Sequence, residues 1–149
     1  MEQINRESVV FEQYKMYIES TDRFTGFRTQ ANTFFLSINT ALVGFIATVL
    51  EFSTKHPTSF WIIFACIAGL ILCTSWWLLV RSYRTLNSGR FQVIHELEKN
   101  LPIQIYAKEW EILTNLKPRH IPQTHLEQIV PITFGILYVG IALTLIIIK

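Results

Sequence analysis

A chain of 149 residues in which 50% are hydrophobic and only 16% are charged has the composition of a membrane protein, not of a soluble globule. A net charge of +2 is too small to predict nucleic-acid binding. The first thirty residues are charged and hold no apolar core near the terminus, so we expect no cleavable signal peptide. The first apolar segment then serves as its own insertion signal.

Residues 1–30 are predicted to form an N-terminal cytoplasmic amphipathic helix. A stripe recurs there at three- and four-residue steps and continues into the apolar segment, through Val10, Tyr14, Tyr17, Thr21, Phe24, Arg28 and Ala31. Such a stripe either packs on other parts of the same chain or docks a soluble partner, and the spacing alone leaves both interpretations open.

Three runs contain no charged residue: 31–50, 57–80 and 128–148. About twenty helical residues, each rising about 1.5 Å, cross a bilayer core of about 30 Å. We therefore predict an all-α membrane protein with three transmembrane helices. The first two, 32–50 and 59–80, form a hairpin within 31–80. A helical cytoplasmic segment follows at 81–127, and the third span occupies 128–149.

The first span predicts a contact surface between copies of the chain. A narrow face holds small and hydroxyl residues, which let helix backbones approach closely in lipid. Asn39 near mid-span needs a helix or water beside it, and we expect it to bond across subunits. Two faces unsuited to lipid on one helix indicate a homo-oligomer. The predicted packing residues, including a small-residue ridge on span two, are Thr33, Ser37, Asn39, Thr40, Gly44, Ala65 and Gly69.

No proline occurs between residues 60 and 100, so span two is predicted to continue beyond the membrane as one helix. A bend is expected at 87–89, where Asn, Ser and Gly follow one another. Pro102 disfavours helix at Leu101 and should end the element. A second short helix is expected over 104–115, and 117–123 is interpreted as the linker into span three.

The basic residues predict the orientation. Eleven of the thirteen Lys and Arg residues lie before span one or between spans two and three. The positive-inside rule then places both segments in the cytoplasm and the C-terminus outside. Trp61 near the outer boundary, and Trp76 and Trp77 near the inner one, suit interfacial aromatic belts. Arg81, Arg84 and Arg90 are expected to contact lipid headgroups or, in an oligomer, to form a basic ring around a vestibule.

Nothing in the sequence predicts catalysis. His120 and His125 are separated by Pro122 and lack helical metal-ligand spacing. His95 is expected to be solvated or hydrogen-bonded. Cys66 and Cys73 lie seven apart on one helix and cannot pair with each other. The acids between spans two and three alternate with bases and indicate a solvated face: Glu96, Glu98, Glu109 and Glu111. We expect no enzyme, cofactor or metal site, and no nucleic-acid partner.

The run at 31–42, ANTFFLSINTAL, resembles the first span of the RipA family of octameric membrane proteins. The resemblance continues in CTSWW at 73–77, SYRTLN at 82–87, FQVIHELE at 91–98, Leu101-Pro102 and Glu109-Trp110, and it covers 14–112. It implies a bacterial inner-membrane protein that forms a ring-like homo-oligomer, an octamer in the family. It brings no catalytic residues. It marks 83–110 as a functional cytoplasmic element. The residues expected to bind a partner or lipid are Arg81, Tyr83, Arg84, Asn87, Arg90 and Trp110.

Two functions stay open. One is a membrane scaffold whose cytoplasmic face, 83–110 with the N-terminal helix, binds a protein partner. The other is a gated pore or membrane-disrupting effector in anti-phage defence, which an axis lined by Asn32, Asn39 and Thr40 would favour. The scaffold is preferred because span one carries no ionisable group, whereas ion pathways commonly do. A membrane enzyme ranks third and would need His95, Glu96 and Glu98 in one pocket.

Overall fold

The computed structural model describes residues 2–52, 59–115 and 123–147, with side chains over 8–52, 60–115 and 127–147. These residues form four helices: α1 (Glu2–Phe52), α2 (Ser59–Glu98), α3 (Ile105–Asn115) and α4 (Gln123–Ile147). By length and composition, α1, α2 and α4 can each cross a membrane. The prediction of an all-α chain with three membrane-spanning helices is confirmed. Lys55, Lys149 and most of the predicted linker, including Lys117, Arg119 and His120, lie outside the described residues.

Two of the helices are far longer than a membrane span. The predicted N-terminal helix and the first span are one helix of 51 residues, which no proline interrupts. Helix α2 has 40 residues and stays helical through 87–89, where a bend was expected. Ser88 Oγ donates a hydrogen bond to the Arg84 carbonyl at 3.1 Å, which satisfies the hydroxyl within the helix. The α2 helix ends four residues before Pro102, and α3 falls within the range predicted for the second short helix.

The chain forms two compact units. The first unit consists of Met1–Arg28 and Ser82–Pro122, and the second unit consists of Thr29–Arg81 and Gln123–Lys149. In the first unit the predicted stripe of α1 is the less exposed side of the helix: Thr21 is buried and Tyr14, Tyr17 and Phe24 are half-buried. The amphipathic pattern therefore marks the face of α1 that packs within the first unit.

The core of the second unit is formed by α1, α2 and α4 together. Its buried side chains are Ile46, Ile62, Ala65, Cys66, Cys73 and Tyr138. Helix α2 contributes most of them and is the most enclosed, with 33% of its apolar segment buried against 11% for the other two helices. The central position of α2 follows from its ridge of small residues, because small side chains allow close approach on both flanks.

Tyr138 of α4 packs directly on the backbone of α2 at Gly69. A β-carbon at Gly69 would lie 2.5 Å from the Tyr138 ring, a distance that no real methyl group tolerates. Ala65, one turn away on the same ridge, is only 6% exposed. These contacts correct the expectation that Ala65 and Gly69 pack between subunits. The ridge is used inside one chain because the bulky Tyr138 needs a flat surface opposite it.

Asn39 is also enclosed within the chain. Its side chain is 0% exposed. Its Oδ1 accepts hydrogen bonds from the Tyr138 hydroxyl at 3.1 Å and from the Cys73 thiol at 3.4 Å, and its Nδ2 donates to the Phe35 carbonyl at 2.8 Å. This arrangement corrects the expectation that Asn39 bonds across subunits. An amide in lipid requires partners. Helices α2 and α4 of the same chain supply the donors to Oδ1, and α1 itself supplies the acceptor for Nδ2.

Trp76 is a core residue, which corrects its assignment to an interfacial belt. It is 3% exposed, and its indole Nε1 donates to Asn32 Oδ1 at 2.9 Å. Its ring stacks on Phe35 with 5.8 Å between centroids. Trp61 is 63% exposed and remains free for a belt position. Both asparagines of span one are thus hydrogen-bonded inside the second unit.

We predict that Gly69→Ala destabilises the protein by about 1–3 kcal/mol, the usual range for overpacking a core. The added methyl group would displace the Tyr138 ring and with it the hydroxyl that bonds Asn39. Gly140→Ala is the matched control on α4, since a β-carbon there meets nothing within 4 Å. Thermal unfolding in detergent should show a lower Tm for Gly69→Ala alone. Equal Tm values for the two variants would contradict the packing described here.

Candidate functional site

The second unit presents a face of small residues on α1 that no other described part of the chain covers. We call it the small face, and it consists of Thr33, Ser37, Thr40, Gly44 and Thr48, all of them exposed. The enclosed residues of α1 lie on the other side of the helix. Ile46, which is 1% exposed, follows Gly44 by two positions and so lies about 200° around the axis. The inward and outward faces of α1 are therefore separate surfaces.

The three threonine hydroxyls of the small face are satisfied within α1. Thr33, Thr40 and Thr48 each donate to the carbonyl four residues earlier, at 3.0, 2.8 and 2.9 Å respectively. Threonines bonded in this way need neither water nor an ion beside them. A β-carbon at Gly44 would meet nothing within 4 Å. The small face thus has short side chains and threonine hydroxyls that are already hydrogen-bonded, the kind of surface that membrane helices use for close packing.

In the first unit, two of the predicted partner-binding residues hold α1 against α2. The rings of Phe24 and Tyr83 meet edge to face, with 5.0 Å between centroids. The Arg90 guanidinium lies 4.2 Å from the Phe24 ring centroid, and its Nη1 donates to the Ser20 carbonyl at 3.1 Å. Tyr83 and Arg90 therefore stabilise the packing of the first unit, and neither presents its whole side chain to a partner.

The remaining predicted partner- or lipid-binding residues are distributed between the two units. Arg84 is exposed and Asn87 is half-buried in the first unit. Trp110 of α3 is 65% exposed. Arg81 is exposed in the second unit, where its guanidinium lies 5.6 Å from the Trp77 ring centroid. Of the predicted set, Arg81, Arg84 and Trp110 keep their side chains accessible.

Glu98, which the sequence placed on a solvated face, is instead 0% exposed. Its Oε1 accepts hydrogen bonds from the Tyr106 amide at 2.8 Å and from the Tyr14 hydroxyl at 3.1 Å, and its Oε2 accepts from the Ala107 amide at 3.1 Å. His95 Nδ1 lies 4.0 Å from Oε2. The carboxylate thus joins α1, α2 and α3, and the expectation of a solvated Glu98 is wrong.

The bonds from Tyr106 and Ala107 explain why a carboxylate is buried here. The first amides of a helix have no carbonyl partner within it, and the positive end of the helix dipole favours an anion. Glu98 therefore caps α3. A capping residue normally lies immediately before its helix, whereas Glu98 precedes Ile105 by seven positions across an intervening turn. The sequence pattern consequently gave no sign of this role.

The phenol groups around Glu98 are held in their neutral form. Burial, together with the hydrogen bond to Glu98 and the charge of that carboxylate, raises the pKa of Tyr14 to about 12. Burial also raises the pKa of Tyr106, and nearby Asp22, Glu109 and Glu98 add to the effect. Tyr14 therefore remains a hydrogen-bond donor at neutral pH.

Glu96 and Glu98 lie in different environments. Glu96 is exposed while Glu98 is enclosed and hydrogen-bonded. Among the described residues, no three His, Cys, Asp or Glu side chains lie close enough to hold a metal ion. His120 and the side chain of His125 lie outside the part of the chain that is described. Cys66 and Cys73 are both buried free thiols.

These features define an all-α membrane protein with an internal polar core and an uncovered small-residue face. The model of the octameric membrane protein family (8xMP) matches residues 11–147, which is nearly the whole chain. The chain belongs to this family. The predicted resemblance to octameric membrane proteins is confirmed at that level, and the RipA designation stays a prediction. Searches among curated proteins and among solved structures give no match.

The Glu98→Ala substitution removes the carboxylate that accepts hydrogen bonds from the Tyr106 and Ala107 amides and from the Tyr14 hydroxyl. We predict that α3 is then held less stably in the first unit. Unsatisfied buried donors cost about 1–3 kcal/mol. Hydrogen exchange of the α3 amides should become faster in Glu98→Ala. In the control Glu96→Ala, which removes an exposed acid two positions away, it should stay as in the wild type. Unchanged protection of α3 in Glu98→Ala would contradict the capping role.

The raised pKa of Tyr14 predicts a loss of stability at alkaline pH. A group that the fold keeps neutral contributes its full stabilisation below the unfolded pKa of about 10. That contribution is lost as the pH rises through the folded value of about 12. Thermal unfolding of Tyr14→Phe should therefore depend less on pH over this interval than unfolding of the wild type. Parallel pH profiles for the two proteins would contradict the Tyr14–Glu98 bond.

Proposed function

We propose that this chain is a homo-oligomeric membrane scaffold, a RipA-type octamer of the bacterial inner membrane, whose first unit binds a protein partner in the cytoplasm. The observation that carries the proposal is the uncovered small face of α1, which lies opposite the internal core of the second unit. Membership of the octameric membrane protein family supports assembly of several copies. The small face is the surface best suited to join them.

The distribution of charge supports the orientation. The basic residues between the second and third spans, and those of the N-terminal segment, favour the cytoplasmic side for the whole first unit. The single Lys55 in the short connection does not oppose this topology. The C-terminus then faces outward.

The hydrogen bonds of the second unit support a scaffold over a pore. A pore would be favoured by an oligomer axis lined with polar side chains, through which ions could pass. Asn39 is enclosed and Asn32 accepts a bond from Trp76, so both amides serve the core of one chain. The threonines of the small face bond to their own helix. An assembly through this face would bring together small side chains without a ring of ionisable groups.

Helix α3 supports partner binding by the first unit. It has no buried residue, although it carries large apolar side chains. Trp110, Ile112 and Leu113 are 65%, 59% and 41% exposed. Aromatic and aliphatic side chains of this kind anchor protein interfaces, and the Glu98 cap holds the start of the helix in place.

Gly44→Leu should reduce the number of subunits per particle, since the new side chain keeps α1 helices apart where they would approach most closely. Gly140→Leu places the same side chain at an exposed position of α4 and should leave assembly intact. Native mass spectrometry from mild detergent reads the subunit number of each. Wild-type assembly in Gly44→Leu would count against the small face as the interface.

Partner binding is tested by a photo-crosslinking amino acid in place of Trp110, with the same group at exposed Lys99 as the positional control. We expect a discrete crosslinked product with another protein in intact cells from position 110 and not from position 99. Crosslinks from position 110 only to further copies of this chain would defeat the scaffold role while leaving the oligomer in place.

A further inference from the structure

Helix α2 carries a row of mostly large side chains that no other described part of the chain covers. The row repeats at steps of four and three positions, and every member is exposed: Phe60, Phe64, Ile67, Ile71, Thr74 and Leu78. We call these residues the outer row. Gly69, which packs on Tyr138, follows Ile67 by two positions and so lies about 200° around the helix axis. The outer row is therefore directed away from the core of the second unit.

The outer row is apolar along its length. Its one polar member, Thr74, donates its hydroxyl to the Leu70 carbonyl at 2.8 Å, so it requires no partner outside the helix. In the middle of the row Phe64, Ile67 and Ile71 are 61%, 52% and 62% exposed. The outer row thus presents large projecting side chains, a shape opposite to that of the small face.

The small face and the outer row have the same spacing. The small face also repeats at steps of four, three and four positions, through Thr33, Ser37, Thr40 and Gly44. This spacing is typical of helices that pack along a seam, because the side chains of one helix enter the spaces between those of the other. No residue of the small face is larger than threonine, so it leaves room for large side chains. The two surfaces are therefore complementary in shape and in spacing.

Contacts inside the chain fix which residues of α1 and α2 lie at the same depth. Phe35 stacks on Trp76, and Asn39, four positions further along α1, accepts a hydrogen bond from Cys73, three positions earlier on α2. The two helices are therefore antiparallel, and one step along α1 corresponds to about one step back along α2. To within one residue, this register places Thr33 level with Leu78, Ser37 with Thr74, Thr40 with Ile71, Gly44 with Ile67, and Thr48 with Phe64.

The small face and the outer row of one chain do not meet, since both are directed away from the core. Copies inserted in one orientation, and related by an axis along the membrane normal, hold each residue at the same depth. A closed ring of more than two such copies joins two different surfaces at every contact, and the family is octameric. We propose that the small face of each copy packs against the outer row of the next copy. The inference rests on the proposed oligomer and adds the surface that the small face contacts.

A second copy, not lipid, is the occupant that the shared register favours. Acyl chains cover any apolar surface about equally, so lipid imposes no relation between the spacing of α1 and that of α2. A neighbouring copy imposes one, because small side chains must meet large ones at every level at once. In this contact Gly44, the smallest residue of the small face, lies opposite Ile67.

The test is disulfide crosslinking between cysteine pairs in the full-length protein. Two double variants place the thiols at the same depth: Ser37→Cys with Thr74→Cys, and Thr48→Cys with Phe64→Cys. The controls recombine the same substitutions, as Ser37→Cys with Phe64→Cys and Thr48→Cys with Thr74→Cys. Across the proposed contact the recombined thiols are separated by about 15 Å along the helices, whereas a disulfide joins Cα atoms about 4.4–6.8 Å apart. All four substitutions are at exposed positions.

Membranes are oxidised with copper phenanthroline, and the products are separated on a denaturing gel without reductant. Each subunit offers one thiol to each of its two neighbours, so the same-depth pairs should give a ladder of covalent multimers that extends beyond the dimer. The recombined pairs should give none. Cys66 and Cys73 are buried and present in every variant, and the wild type measures any product that they contribute.

Native mass spectrometry of the wild type separates the two ways in which this account can fail. An oligomeric wild type whose same-depth pairs give no ladder, or no more than the recombined pairs, would overturn the contact and leave the proposed oligomer standing. Dimers from Ser37→Cys or Thr48→Cys alone would also overturn it, since two small faces would then meet each other. A monomeric wild type would defeat both the oligomer and this contact.

Discussion

The structure of the second unit depends on one constraint, that an amide inside a membrane must find its hydrogen-bond partners within protein. Asn39 meets this constraint with the Tyr138 hydroxyl, the Cys73 thiol and the Phe35 carbonyl. Tyr138 can reach Asn39 only because Gly69 lets its ring lie against the backbone of α2. The small-residue ridge of α2, the position of α4 and the inward face of α1 are therefore parts of a single arrangement. Asn32 and Trp76 repeat the principle elsewhere in the same unit.

This arrangement separates the two faces of α1 by role. Since both asparagines of span one form hydrogen bonds inside the second unit, the outward small face contains no amide side chain and needs only close packing. Such a surface is a poor boundary to lipid, which gains little from small side chains, and a good one to another helix. Membership of the octameric membrane protein family agrees with this division. In the first unit a buried carboxylate has the corresponding organising role, since Glu98 joins three helices at the start of α3.

Charge-free runs were enough to predict the three membrane helices. A charged side chain is energetically costly in lipid, so membrane-spanning segments contain few or none, and their absence is visible in the sequence. The long α2 and the position of α3 also followed from where prolines occur. The partners of each polar residue did not follow. Asn39 was recognised as a residue that needs a partner, but its pairing with Tyr138, 99 positions later, depends on how α4 packs. The local sequence predicted an interfacial position for Trp76 and a solvated one for Glu98. Both predictions were wrong because the hydrogen-bond partners of these residues also lie on other helices. Sequence periodicity predicts which face of a helix is buried, but it does not identify the residues of other helices that pack against that face.

The most direct test of this account is a reconstruction of the purified protein in lipid nanodiscs at a resolution that shows side chains. We expect the small face of α1 to lie at the contact between neighbouring copies, with Asn39 bonded to Tyr138 inside each protomer. A small face directed at lipid, or an Asn39 amide bonded to a neighbouring copy, would contradict the separation of inward and outward faces on which the account depends.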